Sequence, residues 1–165
     1  MLFRDVEQYV LQNKEKIVSL LAEYVLTDTI LFWSDEKDLN FLQQEKWQPI
    51  IDFVNKEIGI NLQKTYKITP PNENNLYQEA FKIYIRTLYL KELTALYLGA
   101  TELKSVLLSI AFVKKKISAT EAFNLSFLEE FFQNKSWGTD KEAENKKEQI
   151  KETILKIEEY LQDNG

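Results

Sequence analysis

Glycine and proline are so sparse in this chain that they dictate how long its regular elements can run. The glycines are Gly59, Gly99, Gly138 and Gly165, and the prolines are Pro49, Pro70 and Pro71. Long unbroken stretches lie between them, and within these the apolar residues recur every three or four positions, the period of a helix with one buried face. The fold class that follows is all-α. We expect a single compact bundle of about six to eight helices, with room for one or two short extended segments. Residues 1–165 form one domain in this reading, since no low-complexity tract or linker divides them.

Residues 3–25 carry Phe3, Val6, Val10, Ile17, Leu21 and Tyr24 at helical spacing, interrupted at Asn13-Lys14. That predicts two helices or one weak joint. Residues 27–33 are β-branched and aromatic without helical spacing, and are expected to be extended. Asp35 is placed to cap the next helix, which runs to Gly59 with a new first turn at Pro49. Residues 60–68 alternate loosely and read as a connector or short strand. Helical spacing resumes over residues 76–99, densely enough for this to be the central buried element. Thr101 is expected to cap a helix reaching Val113. Ser118-Ala119-Thr120-Glu121 is a capping box, and Thr139-Asp140-Lys141-Glu142 is a second. The terminal helix turns Ile150, Ile154, Ile157 and Leu161 inward.

The chain has neither histidine nor cysteine. A Ser–His–Asp triad, a cysteine nucleophile, an ordinary N/S zinc site and a Glu-x-x-His di-iron site are therefore excluded. The dispersed glycines form no phosphate-cradling loop, so neither a nucleotide nor another cofactor is expected. A formal charge of −5 argues against a nucleic-acid partner. Residues 106–113 are among the longest apolar stretches and fall far short of the ~20 residues that cross a bilayer, so no membrane insertion is expected. The chain reads as a non-enzyme.

Its least ordinary stretch is Leu128-Glu129-Glu130-Phe131-Phe132-Gln133-Asn134-Lys135-Ser136-Trp137-Gly138. On one continuous helix, Phe123, Leu125, Phe127, Leu128, Phe131 and Phe132 cover an arc of roughly 200°, leaving Ser126, Glu129, Glu130 and Gln133 a narrow polar strip. Acids rising between apolar surfaces suit contact with another element or another protein. A well-buried helix with a solvated acidic edge fits the same pattern.

These residues resemble the assembly chaperone of the F-type ATP synthase α subunit, found in mitochondria and some bacteria, over its helical C-terminal domain. The resemblance rests on Thr27-Asp28-Thr29, on Gln43-x-x-x-Trp47-x-Pro49-Ile50-Ile51-Asp52, on Leu103-x-Ser105-x-x-Leu108, and most strongly on Leu128-Glu129-Glu130-x-Phe132-Gln133-x-x-x-Trp137-Gly138. Order and spacing agree over about residues 5–160. Gln48 and Phe53 stand where Asp and Trp are usual. The resemblance implies that the family's β-rich N-terminal domain is absent, whether lost or trimmed.

It further implies a chaperone that binds the unassembled α subunit and prevents aggregation or self-association until the β subunit replaces it. The partner-binding residues it points to are Asp28, Gln43, Trp47, Asp52, Glu129, Glu130, Gln133, Trp137 and Asp140. An interaction module for a different client, after loss of the β-rich domain, is the alternative. Several of these residues suit structural roles equally well. Trp47 and Trp137 fit element-end anchors, Asp28 and Asp52 fit caps or solvated acids, and Gln43 and Gln133 fit partners of backbone ends. The start, Met1-Leu2-Phe3-Arg4-Asp5, lacks the apolar core of a signal peptide. The expected location is a bacterial cytoplasm, or a mitochondrial matrix if a targeting segment has been removed.

Overall fold

The computed structural model describes residues 2–70, 75–133 and 141–163. Its regular structure is helical throughout these residues, and no strand forms among them. The N-terminal half holds α1 (Phe3–Gln12), α2 (Lys14–Tyr24), α3 (Lys37–Lys46), α4 (Gln48–Ile58) and α5 (Asn75–Arg86). The C-terminal half holds α6 (Leu90–Leu103), α7 (Val106–Val113), α8 (Ala119–Ser126), α9 (Leu128–Gln133) and α10 (Lys141–Gln162). The segments outnumber the expected six to eight because several predicted helices are broken by side chains rather than by glycine or proline.

The expected joint at Asn13 is present, and Pro49 lies in the first turn of α4 after a break at Trp47. Gly59 ends α4 at φ 84°, the left-handed conformation that glycine adopts at no steric cost. The second break inside a predicted helix falls at residues 87–89, where Thr87 Oγ1 donates to the Tyr84 carbonyl (2.6 Å) and Glu92 accepts from the Tyr89 N–H (3.2 Å). Helix α6 then runs past Gly99. There, a side chain would collide with Ser109 Oγ, which donates to the Leu96 carbonyl at 3.0 Å, so glycine allows α6 to lie close against α7. Thr101 sits inside α6, bonded to the Tyr97 carbonyl, and Ser105 caps α7 instead.

Helix α7 is the centre of the core, rather than the predicted 76–99 element. All eight of its residues are buried, as expected of a helix that is apolar all round. Full burial of side chains such as Leu107, Leu108 and Phe112 is worth about 1.5–3 kcal/mol each. Helices α4, α6 and α8 pack around α7, and α10 lies across α6 and α8 with Ile154 and Ile157 turned inward.

Residues 27–33 are not extended as expected. They form two 3-10 turns, Val25–Thr27 and Thr29–Leu31, because the Asp28 carboxylate accepts from the Ile30 N–H (3.2 Å) and closes the chain on itself. Among the described residues, extended pairing is confined to one bridge between Phe32 and Thr65. Asp35 does not cap α3: Glu36 does, its two oxygens accepting from the Asp38 and Leu39 N–H groups at 3.2 and 2.9 Å. The Ser118 capping box opens α8 as predicted, with both of its reciprocal bonds made. The second predicted box lies partly outside the described residues. No helix among the described residues is long and apolar enough to cross a membrane.

Candidate functional site

The helix predicted to carry the acidic motif is interrupted. Ser126 Oγ donates to the Phe123 carbonyl (2.8 Å), a local bond that competes with helix continuation, and Phe127 leaves helical geometry at φ −108°, ψ 17°. The break re-aims α9, so the 200° arc drawn on one straight helix does not exist. In its place, Phe123, Phe127 and Phe131 cluster with ring centroids 5.0–6.2 Å apart, the spacing of favourable aromatic pairs. Beside them opens a cleft whose lining includes Trp47, Glu102, Lys104, Phe127, Glu129 and Glu130.

Trp47 lines it from the N-terminal half, and Gln43 lies behind Glu129. Gln43 is fully buried in α3, and both halves of its amide are bonded. Oε1 accepts from the Ser34 N–H (2.9 Å), which leaves Nε2 to donate to Glu129 Oε1 (3.1 Å). Trp47 is 1% exposed and donates through Nε1 to the Leu125 carbonyl at 3.0 Å, holding the end of α8 against the start of α4. Glu129 is half-buried. Burial pushes its carboxyl above the ordinary range, against the opposing pull of the Gln43 hydrogen bond. Burial likewise raises Glu102. Glu130 points outward and meets Lys147 Nζ at 3.5 Å.

The remaining predicted site residues separate. Asp28 is buried away from the cleft and accepts from Ser105 Oγ (2.6 Å) and from the N–H groups of Val106 (2.8 Å), Leu107 (3.0 Å) and Ile30. Burial raises its carboxyl, while these four donors, with Ser105 the strongest, pull it down. Asp52 is exposed on α4 and accepts from Gln48 Nε2 at 2.8 Å. Gln133 is exposed at the end of α9. Trp137 and Asp140 lie outside the described residues.

The cleft and the hollow adjoining it across Phe127 and Glu130 also hold residues that the motif reading passed over. Lys147 is buried in α10, with its ammonium 5.6 Å from the Phe127 ring centroid and 5.4 Å from that of Phe131. Its signal was present in the sequence, since Lys147 lies three residues before Ile150 and seven before Ile154 on the same helical stripe. The lysine type alone argued for solvent. Glu102 and Lys104 had no comparable signal, because only the close of α6 brings them to the rim.

A carboxyl raised on folding binds its proton more tightly in the folded chain. Its stability contribution is therefore present in acid, below the ordinary carboxylate range, and is lost as pH rises through the raised value. Glu129→Gln, which preserves an acceptor for Gln43, should melt no lower than wild type at neutral pH and should flatten the pH dependence of melting just above that range. Circular dichroism melts across pH would show this, and a strongly destabilised variant at pH 7 would show that the charge itself supports the fold.

Fold and cleft together define an all-helical domain with a carboxylate-rimmed, aromatic-lined cleft and no assembled triad or nucleotide loop among the described residues. By sequence, residues 3–55 match the family described as ATP12 chaperone protein. The mitochondrial protein atp12 of Schizosaccharomyces pombe is 25% identical over 146 residues, covering 84% of this chain and 50% of the relative. The crystal structure of Atp12 from Paracoccus denitrificans superposes with a TM-score of 0.85 at 27% identity, over 93% of this chain and 66% of that one. A point mutant of the Paracoccus protein matches equally well. A protein of Agrobacterium tumefaciens shares the fold, with a TM-score of 0.80 at 17% identity. The chain is thus similar to ATP12 chaperone proteins, in sequence over residues 3–55 and in fold over most of its length. It spans about half the length of the curated relative it matches.

Proposed function

We propose that this chain is a non-enzymatic assembly chaperone of the F-type ATP synthase. In this reading it binds the unassembled α subunit and keeps it from aggregating or self-associating until β joins. Similarity to ATP12 chaperone proteins supports the reading, and the cleft carries it. An α subunit awaiting its partner exposes apolar interface. The aromatic cluster at Phe127 and Phe131 offers a surface to cover it reversibly, and the neighbouring carboxylates penalise partners that leave them unpaired. The described helices act as one unit in this role. Glu129, Glu130 and Gln133 are the contacts nearest the client, with Trp137 and Asp140 assigned beside them through the resemblance. Gln43 and Trp47 hold the cleft in shape, Asp28 holds α7, and Asp52 lies on a neighbouring face. The compartment is the one where the synthase is assembled, a bacterial cytoplasm or a mitochondrial matrix.

Co-expression with the α subunit followed by pull-down tests this directly. Glu130→Gln should fold normally and weaken capture by about 1.5–3 kcal/mol, roughly tenfold or more, if its carboxylate meets a donor on the client. Charge reversal is a poorer probe, because a lysine at position 130 would face the buried Lys147. Glu23→Gln, on the exposed side of α2, serves as the remote control. Undiminished capture by Glu130→Gln removes Glu130 from the interface. Stoichiometric recovery of a different protein from the native cell, with none of the α subunit, would replace this client by another.

A further inference from the structure

Lys147 stands apart among the cations of α10. Lys141 and Lys146 are exposed, whereas Lys147 is buried, with its side chain only 11% exposed against 56% for its partner Glu130. The ammonium sits over the rings of Phe127 and Phe131 and within 3.5 Å of Glu130 Oε2. It thus covers the aromatic faces and engages the carboxylate that the functional reading assigns to the client. We propose that Lys147 is a built-in competitor, an intramolecular stand-in for a basic side chain of the client, which must displace it from Glu130 to bind. This inference rests on the chaperone reading.

Displacement is feasible because Lys147 has a second anchor. Glu144 Oε1, three residues earlier on the same helix, lies 3.9 Å from the ammonium. Loss of Glu130 would therefore not strand an unpaired cation in a buried place, the outcome that makes most buried pairs hard to open. The other charged groups around the cleft are Glu102, Glu129, Lys104 and Lys146, and none of them is paired with Lys147. A client guanidinium would hold the better position, since its planar fork can bind a carboxylate through two donors and stack on an aromatic face. Lys147 offers a single 3.5 Å contact. The fold then sets a threshold: weakly basic or misaligned surfaces do not dislodge Lys147, and a well-placed basic side chain does.

A competitor that occupies the contact for most of the time lowers apparent affinity by the free fraction, so its removal should tighten binding. With the full chain and purified ATP synthase α subunit, Lys147→Met should bind about 3- to 10-fold more tightly than wild type, while Lys147→Arg should show no such gain. Glu144→Gln removes the second anchor, confines Lys147 to Glu130 and should weaken binding. A purely structural lysine would not produce these opposite shifts. Wild-type binding with no gain in folded Lys147→Met and no loss in Glu144→Gln overturns the competitor and leaves the chaperone reading intact. If Lys147→Met does not fold, Glu144→Gln alone decides, and unchanged affinity there overturns the inference. No binding by wild type overturns the client assignment, and the inference with it.

Discussion

Trp47→Ala should lower the stability of this protein by about 3–5 kcal/mol, the range for removing a large buried aromatic whose site cannot collapse. For a chain of this length that is a fall in melting temperature of roughly 6–20 °C. The indole lies at the junction of α3 and α4, where the Ile50 and Ile51 N–H groups take up the Trp47 carbonyl to start α4. Its ring fills the space between that junction and α8, and its N–H is spent on the Leu125 carbonyl. Alanine leaves a cavity and frees that carbonyl together. Trp47→Phe, which keeps most of the volume and loses only the donor, should cost clearly less. Thermal melting checks both, and an unchanged melt combined with lost client binding would move Trp47 to the interface.

Asp28→Ala should be comparably severe, about 3–5 kcal/mol, for a different reason. The first three N–H groups of α7 have no partner within their own helix. Asp28 Oδ2 takes those of Val106 and Leu107, and Ser105 Oγ takes that of Leu108. Because α7 is wholly buried, water cannot replace the carboxylate, and each stranded buried donor costs about 1–3 kcal/mol. Asp28→Asn should recover little, since an amide can present only one oxygen where four donors converge on two. Urea unfolding measures the cost. A variant within about 0.5 kcal/mol of wild type that no longer captures the α subunit would make Asp28 a client contact instead of a cap.

Both cases show how a motif residue can be visible in sequence while its job is not. Asp28 and Trp47 were singled out as residues, each with a cap or an anchor open beside a partner contact. Only the fold shows that Asp28 meets the cap of a helix 77 residues later, at Ser105, and that Trp47 reaches Leu125. Gln43 was weighed as a partner for backbone ends. It does serve the Ser34 N–H, but its other half orients Glu129 across 86 residues of sequence.

The sequence by itself determined the all-helical class, the joint at Asn13, the helix stop at Gly59 and the capping box at Ser118. Each follows from interactions among residues a few positions apart, whose preferences act before any tertiary contact forms. It also placed Glu129 and Glu130 among clustered aromatics. Tertiary structure decided which helix became the core, where the predicted helices broke and what the acids face. The breaks at residues 87–89 and at Phe127 contain no glycine or proline. They are stabilised by hydroxyl–carbonyl and capping bonds and by burial of α6 and α8 against α7, so no period in the sequence announces them. Lys147 owes its burial to the same cause, because a long aliphatic stem with a charged tip can lie along aromatic surface once α8, α9 and α10 have brought that surface and a carboxylate within its reach.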